Sequence, residues 1–267
     1  MLNSYLSKGL KSAHNIGRHN RLYYKFLRKG LKSTHGKCQW EIGKWNNISG
    51  KLHLCKKGFH CSKEIYQAFS WVDGQILTQV KVRGKPIEIE TKSAFPQMKI
   101  VRAWEWQKKD DLALAIYCVE IMLTRFEREY PNYKRPRQAI ELAKKIIKNP
   151  TEKNRSLARI EIDKIWEPNG DMSRALSDSI DLIRIILRES SKESNHRIAR
   201  MAVNLLFKGK ISDEIASQIK NKEKLSWPRA KLNAKKEYPY LERLLTKWLD
   251  EYFKKEIKKR PTIKSRG

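Results

Sequence analysis

The stretch Trp104–Glu129, WEWQKKDDLALAIYCVEIMLTRFERE, divides the 267-residue chain into two textures. From Leu112 onward, Leu112, Ala115, Ile116, Val119, Met122, Leu123 and Phe126 recur at three- and four-residue spacing, which predicts a helix with one apolar stripe. Upstream, from Lys37 to about Arg102, the pattern is of short strands: KLHLC (51–55), ILTQVKV (76–82), IEIE (87–90) and Lys99–Val101, separated by glycines. Between them SKEIYQAFSW (62–71) sets Ile65, Ala68 and Phe69 at helical spacing behind Ser62, a good N-cap residue. Downstream, helices are predicted over 137–148, 152–166, 172–188, 195–207, 213–220 and 241–258. Thr151, Asp171 and Ser212 serve as starts, and Pro131 and Pro136 as breaks. Short connections between such helices imply antiparallel neighbours. The expected fold is α+β: a small mixed or antiparallel sheet domain followed by an all-α helical bundle. The expected division is a basic arm (1–22), a small α+β domain (23–108), a bundle (109–260) and a basic tail (261–267).

Composition narrows the function classes. There are 58 Lys+Arg against 29 Asp+Glu, a formal charge of +29, with 40% hydrophobic residues, 8 Trp and 4 Cys. Four cysteines do not make a disulfide scaffold, and the tryptophans argue for a packed core. No run of about 18 apolar residues is present to span a membrane, and the leading residues lack the apolar run of a secretion signal. So large a surplus of one sign repels itself, and the partner that relieves it best is a polyanion. Nucleic acid fits, because each phosphate contacted releases condensed counterions. An anionic membrane surface would call for a basic amphipathic helix or a lipidation site, and neither is evident.

The charge is not uniform. Residues 1–110 carry 22 basic and 7 acidic residues, and no carboxylate precedes Glu41. The leading candidates for phosphate contact are Lys8, Lys11, Arg18, Arg21, Lys25, Arg28, Lys29, Lys32 and Lys37, interleaved with Tyr23 and Tyr24, which could stack on bases together with Trp45. Further basic stretches are Lys222, Lys224, Arg229, Lys231, Lys235 and Lys236, and then Lys254, Lys255, Lys258, Lys259 and Arg260. Arg135 and Arg137 flank Pro136 at a helix start and are candidates as well. Residues 5–14 (YLSKGLKSAH) and 26–35 (FLRKGLKSTH) agree at seven of ten positions, a local duplication that offers a turn flanked by cations.

The run Tyr24–Cys61 carries Tyr24, Lys25, Gly43, Lys44, Trp45, Cys55, Gly58, Phe59, His60 and Cys61. With these it resembles an uncharacterised domain found mostly in phage proteins, over about residues 22–104. The resemblance implies a short α+β unit with an N-terminal strand at Tyr24–Lys25 and a hairpin ending in GFHC, and implies no activity. Cys118–Ile147 is similar to a helical family of immunity proteins of bacterial toxin systems through Arg135, Pro136, Arg137, Ala139 and Ile140, with Tyr133 where that family has an acid. Together the two imply a phage or mobile-element protein acting in a bacterial host cytoplasm, with virion association an open alternative.

Chemistry beyond binding has two candidates. Cys38, Cys55, His60 and Cys61 are thiol and imidazole groups close enough in sequence to suggest zinc, with His53 nearby. Against that, no C-x2-C pair exists, adjacent strand residues face opposite sides, and a free Cys packs well as a small hydrophobe. GFHCSKEIYQAF also resembles the strand–helix step of ADP-ribosyltransferase-like folds, which implies a pocket using Tyr66, Arg28 and one of Glu88, Glu90 or Glu105. No phosphate-binding Gly-rich loop, nucleophile elbow or metalloprotease motif occurs. The expected function is therefore non-enzymatic, largely sequence-independent binding of DNA or RNA, with no cofactor other than the candidate zinc. The alternatives are an inhibitor of a host nucleoprotein complex, with a host or phage protein as partner, and the transferase-like enzyme.

Overall fold

A computed structural model describes residues 21–35, 38–69, 71–72, 74–164, 181–186, 198–221 and 226–264. Their element order is β1 (Tyr23–Leu27), β2 (Asn46–Asn47), β3 (Phe59–Cys61), α1 (Ile65–Phe69), β4 (Ile76–Arg83), β5 (Ile87–Ile89), β6 (Lys92–Phe95) and β7 (Gln97–Glu105). The helices follow: α2 (Lys108–Glu129), α3 (Arg135–Lys148), α4 (Glu152–Lys164), a helical segment at 181–186, α5 (Ile198–Lys220) and α6 (Trp227–Tyr252), which runs on into a π-helical turn, Phe253–Ile257. The chain is α+β, as its two textures imply. A four-stranded antiparallel sheet has the order β1-β4-β7-β2, and a three-stranded one the order β3-β6-β5.

Period-two alternation gives the main sheet two different faces. Phe26, Leu77 and Trp104 lie in one row across β1, β4 and β7 and face the helices. Tyr23, Val80 and Ile100 form another row and face Trp40, Phe59 and Phe95 of the smaller sheet and its loops. At Gln79/Val80 the register slips by one, with Val101 of β7 the extra residue, and this reverses the alternation of β7 so that Trp104 and Ile100 face opposite sides. The first core is continuous across the junction: Phe26, Phe69 and Trp106 meet at centroid separations of 4.2–5.6 Å, and Trp104 meets Phe253 edge-on at 5.0 Å. Leu112, Ala115, Ile116 and Val119 of the predicted stripe are buried in the same cluster.

The residues WEWQKKDD carry a hydrogen-bond network within this core. Asp110, fully buried near the start of α2, accepts the Gln107 backbone N–H at 2.7 Å, a capping-box arrangement that extends the helix four residues before Leu112. Its two oxygens also accept both terminal nitrogens of Arg260 at 2.6 Å, and Tyr252 donates to it at 2.7 Å. Asp111 accepts the Trp106 indole N–H at 2.9 Å. Beyond Arg260 the chain returns to β7, where Ile263 donates to the Ala103 carbonyl.

Several expectations are corrected. Residues 51–55 form no strand: His53 bridges to Lys57 in a tight turn and Cys55 has φ of +66°. Ser62 does not cap α1, since its hydroxyl donates to the Thr91 carbonyl and its backbone pairs with Tyr24. The helices expected at 195–207 and 213–220 are one helix, α5, which carries Gly209 and Ser212 in its interior. The helix expected at 241 begins fourteen residues earlier, at Trp227 behind a Ser226 cap, and holds Pro239 inside it. Pro239 is exposed, so the carbonyl it leaves without a donor can turn to water.

Candidate nucleic-acid interface

A stripe of exposed positive charge lies on α6. Its core side is Ala230, Ala234, Leu241, Leu245 and Leu249, all buried. Helical spacing then puts Arg229, Leu232, Lys236, Tyr240, Arg243 and Lys247 on the opposite face, and these are exposed. From Arg229 to Lys247 the stripe is about 27 Å long at 1.5 Å per residue. Glu237 and Glu242 project to either side of it, and no carboxylate pairs with Lys236, Arg243 or Lys247 among the described residues. Leu232 and Tyr240 remain 64% and 52% exposed within the stripe. Lys231 and Lys235 are exposed on its flank.

A second basic surface emerges where the main sheet runs past the helices. Lys81 of β4 stands opposite Lys99 of β7, and Arg83 opposite Gln97. Asn46 and Asn47 of β2 pair with Met98 and Gln97, so Trp45, the residue before β2, comes beside Lys99. The Arg83 guanidinium lies 4.2 Å and the Lys99 ammonium 5.1 Å from the Trp45 ring centroid. Like charges directly opposite on a sheet repel, so this arrangement favours an anion.

Other candidate residues have structural partners. Tyr23 is a core residue, packed edge-on against Phe95 at 5.3 Å, which removes it as a stacking platform. Tyr24 is half-buried against Phe253. Lys25 donates to the His60 carbonyl, and burial lowers its pKa. Arg21 pairs with Glu64, and Arg28 donates twice to the Ser33 carbonyl, closing the turn in which Gly30 and Leu31 take positive φ. Lys29 and Lys32 are exposed on that turn. Arg135 opens α3, and Arg137 grips Glu127 through two hydrogen bonds of 2.8 and 2.9 Å. Those bonds hold the Glu127 carboxyl below its usual range. Arg260 belongs to the Asp110 tie and is only 13% exposed. Lys254, Lys255, Lys258 and Lys259 are exposed but interspersed with Glu251 and Glu256. Lys255 lines a groove of about 570 Å³ along with Glu120 and the parallel-stacked Trp248 and Tyr252. Lys8, Lys11, Arg18, Lys37, Lys222 and Lys224 lie outside the described residues.

The sulfur and imidazole groups do not converge. The His60 Nε2 accepts the Cys55 backbone N–H at 3.0 Å, which occupies the lone pair a metal would need. Cys61, next along β3, is buried on the opposite side, where burial pushes its thiol pKa up. Cys38 is half-buried, and Cys55 is exposed and accepts from Lys92 at 3.1 Å. Among the described residues no group of three or more His, Cys, Asp or Glu could hold a metal ion. For the transferase-like alternative, Tyr66 is buried and its ring stacks on Phe207, while Arg28 is held at its own turn.

Sequence reasoning missed Arg243, Lys247, Leu232 and Tyr240. Their spacing becomes visible once the helix is carried back across Pro239 to Ser226. The alternation in ILTQVKVR already places Lys81 and Arg83 on one face, whereas Lys99 joins them only through strand register. No helix among the described residues is long and apolar enough to cross a membrane. No curated protein and no solved structure matches the chain. Residues 21–109, from the strand entering the sheet to the first turn of α2, match the family model described as Domain of unknown function (DUF7666).

Proposed function

We propose that this protein is a phage-derived accessory protein that binds the phosphate backbone of nucleic acid, largely independently of sequence, inside a bacterial host. The observation that carries the reading is the five-turn stripe of α6, in which cations alternate with an exposed Leu232 and Tyr240 and no carboxylate intervenes. Cations matched to phosphates and a ring on which bases can stack are the two components of sequence-tolerant single-strand binding. The Trp45 surface offers the same two components on the sheet. The phage origin rests on the resemblance of residues 22–104.

Fluorescence anisotropy with a labelled oligonucleotide over a salt series tests this. Three phosphates neutralised by Lys236, Arg243 and Lys247 give a slope of log K against log salt of about −2 for a single strand and nearer −3 for a duplex. Reversing two charges, Lys236→Glu with Arg243→Glu, should abolish most of that slope. A wild-type slope near zero would refute the reading. The exposed Leu232 and Tyr240 also suit a protein partner, as in an inhibitor of a host nucleoprotein complex. Partners retained on the chain after nuclease treatment would favour that second reading.

A further inference from the structure

Away from α6, Lys25 and Lys92 both line one small cavity between β1, β3 and β6. No carboxylate pairs with either among the described residues. Lys92 is 8% exposed. Each ammonium has three N–H donors. Lys25 uses one on the His60 carbonyl at 3.0 Å, and Lys92 one on the Cys55 sulfur at 3.1 Å. Lys92 also sits 3.6 Å from the ring centroid of Trp71, which is 38% exposed at the edge of the cavity. The cavity measures about 50 Å³ and is walled by Tyr24, His60 and Ser62. That is several times the space one water needs and suits a group of four or five heavy atoms.

Two cations lining one largely buried cavity, with no carboxylate partner among the described residues, is a costly arrangement, because desolvation and mutual repulsion both oppose it. The neighbouring side chains register the resulting positive potential. The pKa of His60 is pushed down to about 4 by burial and by the charges of Lys25 and Lys92, and Lys92 contributes to the lowering at Lys25. A bound anion would relieve both costs. Its remaining donors are fixed by the fold: Lys25 is held by β1 between Tyr24 and Phe26, and Lys92 opens β6.

We propose that the cavity between Lys25 and Lys92 binds a terminal phosphate group, with Trp71 at its rim receiving the aromatic part of a phosphate monoester. The volume admits one phosphate and no base, so an internal phosphodiester does not enter it and a chain end or a mononucleotide does. This site is separate from α6 and does not depend on the function proposed for that helix.

The test uses the full-length protein with inorganic phosphate, AMP, adenosine and a 5′-phosphorylated oligonucleotide, followed by calorimetry and Trp fluorescence. Inorganic phosphate and AMP should bind and adenosine should not. Lys25→Met and Lys92→Met should each weaken phosphate at least tenfold, as expected for the loss of one charge-assisted hydrogen bond in a buried site. Both variants remove a charge that has no carboxylate partner among the described residues and keep the stem volume, so folding should be retained. Lys56→Met, an exposed neighbour, and Lys236→Glu with Arg243→Glu should leave phosphate binding unchanged. Trp71→Ala should keep inorganic phosphate but lose the preference for AMP. Should a lysine variant fold poorly, the fluorescence change of wild type on adding phosphate, compared with that of Trp71→Phe, decides the question. Equal phosphate affinity in wild type and Lys92→Met, or no binding by wild type, would overturn the site. A free oligonucleotide end that binds no better than a 5′-hydroxyl one would assign the site to small phosphates rather than to chain ends, and would overturn the chain-end part of the inference.

Discussion

Arg260→Met should destabilise the protein by about 3–5 kcal/mol, the cost of leaving a buried charge without its partner. The guanidinium meets both oxygens of Asp110 at 2.6 Å and the Glu105 carbonyl at 3.1 Å. Asp110 has no exposed surface, so water cannot replace what the arginine supplies. The consequences reach three elements, because the same carboxylate caps α2 and accepts the hydroxyl of Tyr252 on α6. With about 2–4 °C per kcal/mol for a chain of this size, the melting temperature should fall by on the order of 10 °C. Urea denaturation followed by Trp fluorescence and far-UV circular dichroism measures the loss. The pair is separated from simple truncation by a double-mutant cycle with Asp110→Asn. Removing the charge on the aspartate should make Arg260→Met much less costly, with a coupling energy of about 2 kcal/mol or more. An Arg260→Met protein within about 0.5 kcal/mol of wild type, the range of an ordinary surface substitution, would refute the argument. Nucleic-acid affinity should be unchanged in this variant, since Arg260 faces the core.

His60 should make stability pH-dependent. Its folded pKa of about 4 lies below the ordinary 6.5, so the unfolded chain binds more protons between those values. The contribution is present above pH 6.5 and is lost as pH falls toward 4. Because the ring is half-exposed, its worth is about 1–2 kcal/mol rather than the full shift, and denaturation midpoints at pH 7 and 4.5 should differ less in His60→Gln. Thiol reagents should modify Cys55 and Cys38 in the native state and reach Cys61 and Cys118 only on unfolding, because the latter two are buried; mass spectrometry of labelled peptides reads this, and rapid native labelling of Cys118 would contradict the packing of α2. Gly74→Ala should cost about 2 kcal/mol or more, since its methyl group would meet the Phe26 Cβ at 2.5 Å and the Leu27 backbone at 3.0 Å. A thermal melt equal to wild type would disprove that close approach.

Much of the fold is legible in local pattern. The stripe Leu112–Val119 and the alternation of ILTQVKVR follow from helix and strand periodicity, and both appear in place. Where local signals compete, the pattern misleads. The expected helices stop at 207 and start at 241, yet Gly209 and Pro239 each sit inside a long helix whose other residues bury enough apolar surface to outweigh the local cost. Cys55 reads as a strand residue and is instead in a turn, because its backbone N–H is needed by His60. For the candidate site, the excess of cations is compositional and plain, but their division into free and committed charges is not. Arg137 and Arg260 read the same as Lys236 and Arg243 in sequence, yet among the described residues only the first two meet a carboxylate: Glu127 lies 10 residues and Asp110 150 residues away.

Sequence by itself determined the secondary structure of the main elements, the α+β class and the direction of the net charge, all of which depend on residue type and spacing within a few positions. Tertiary structure alone decided which cations are solvent-facing, that Asp110 ties α2 to the chain's C-terminal segment, and that Lys25 and Lys92 share one cavity. The reason is physical: desolvation and pairing of a charge depend on groups brought together from distant segments, and nothing in the residues adjacent to a lysine or arginine records which those will be.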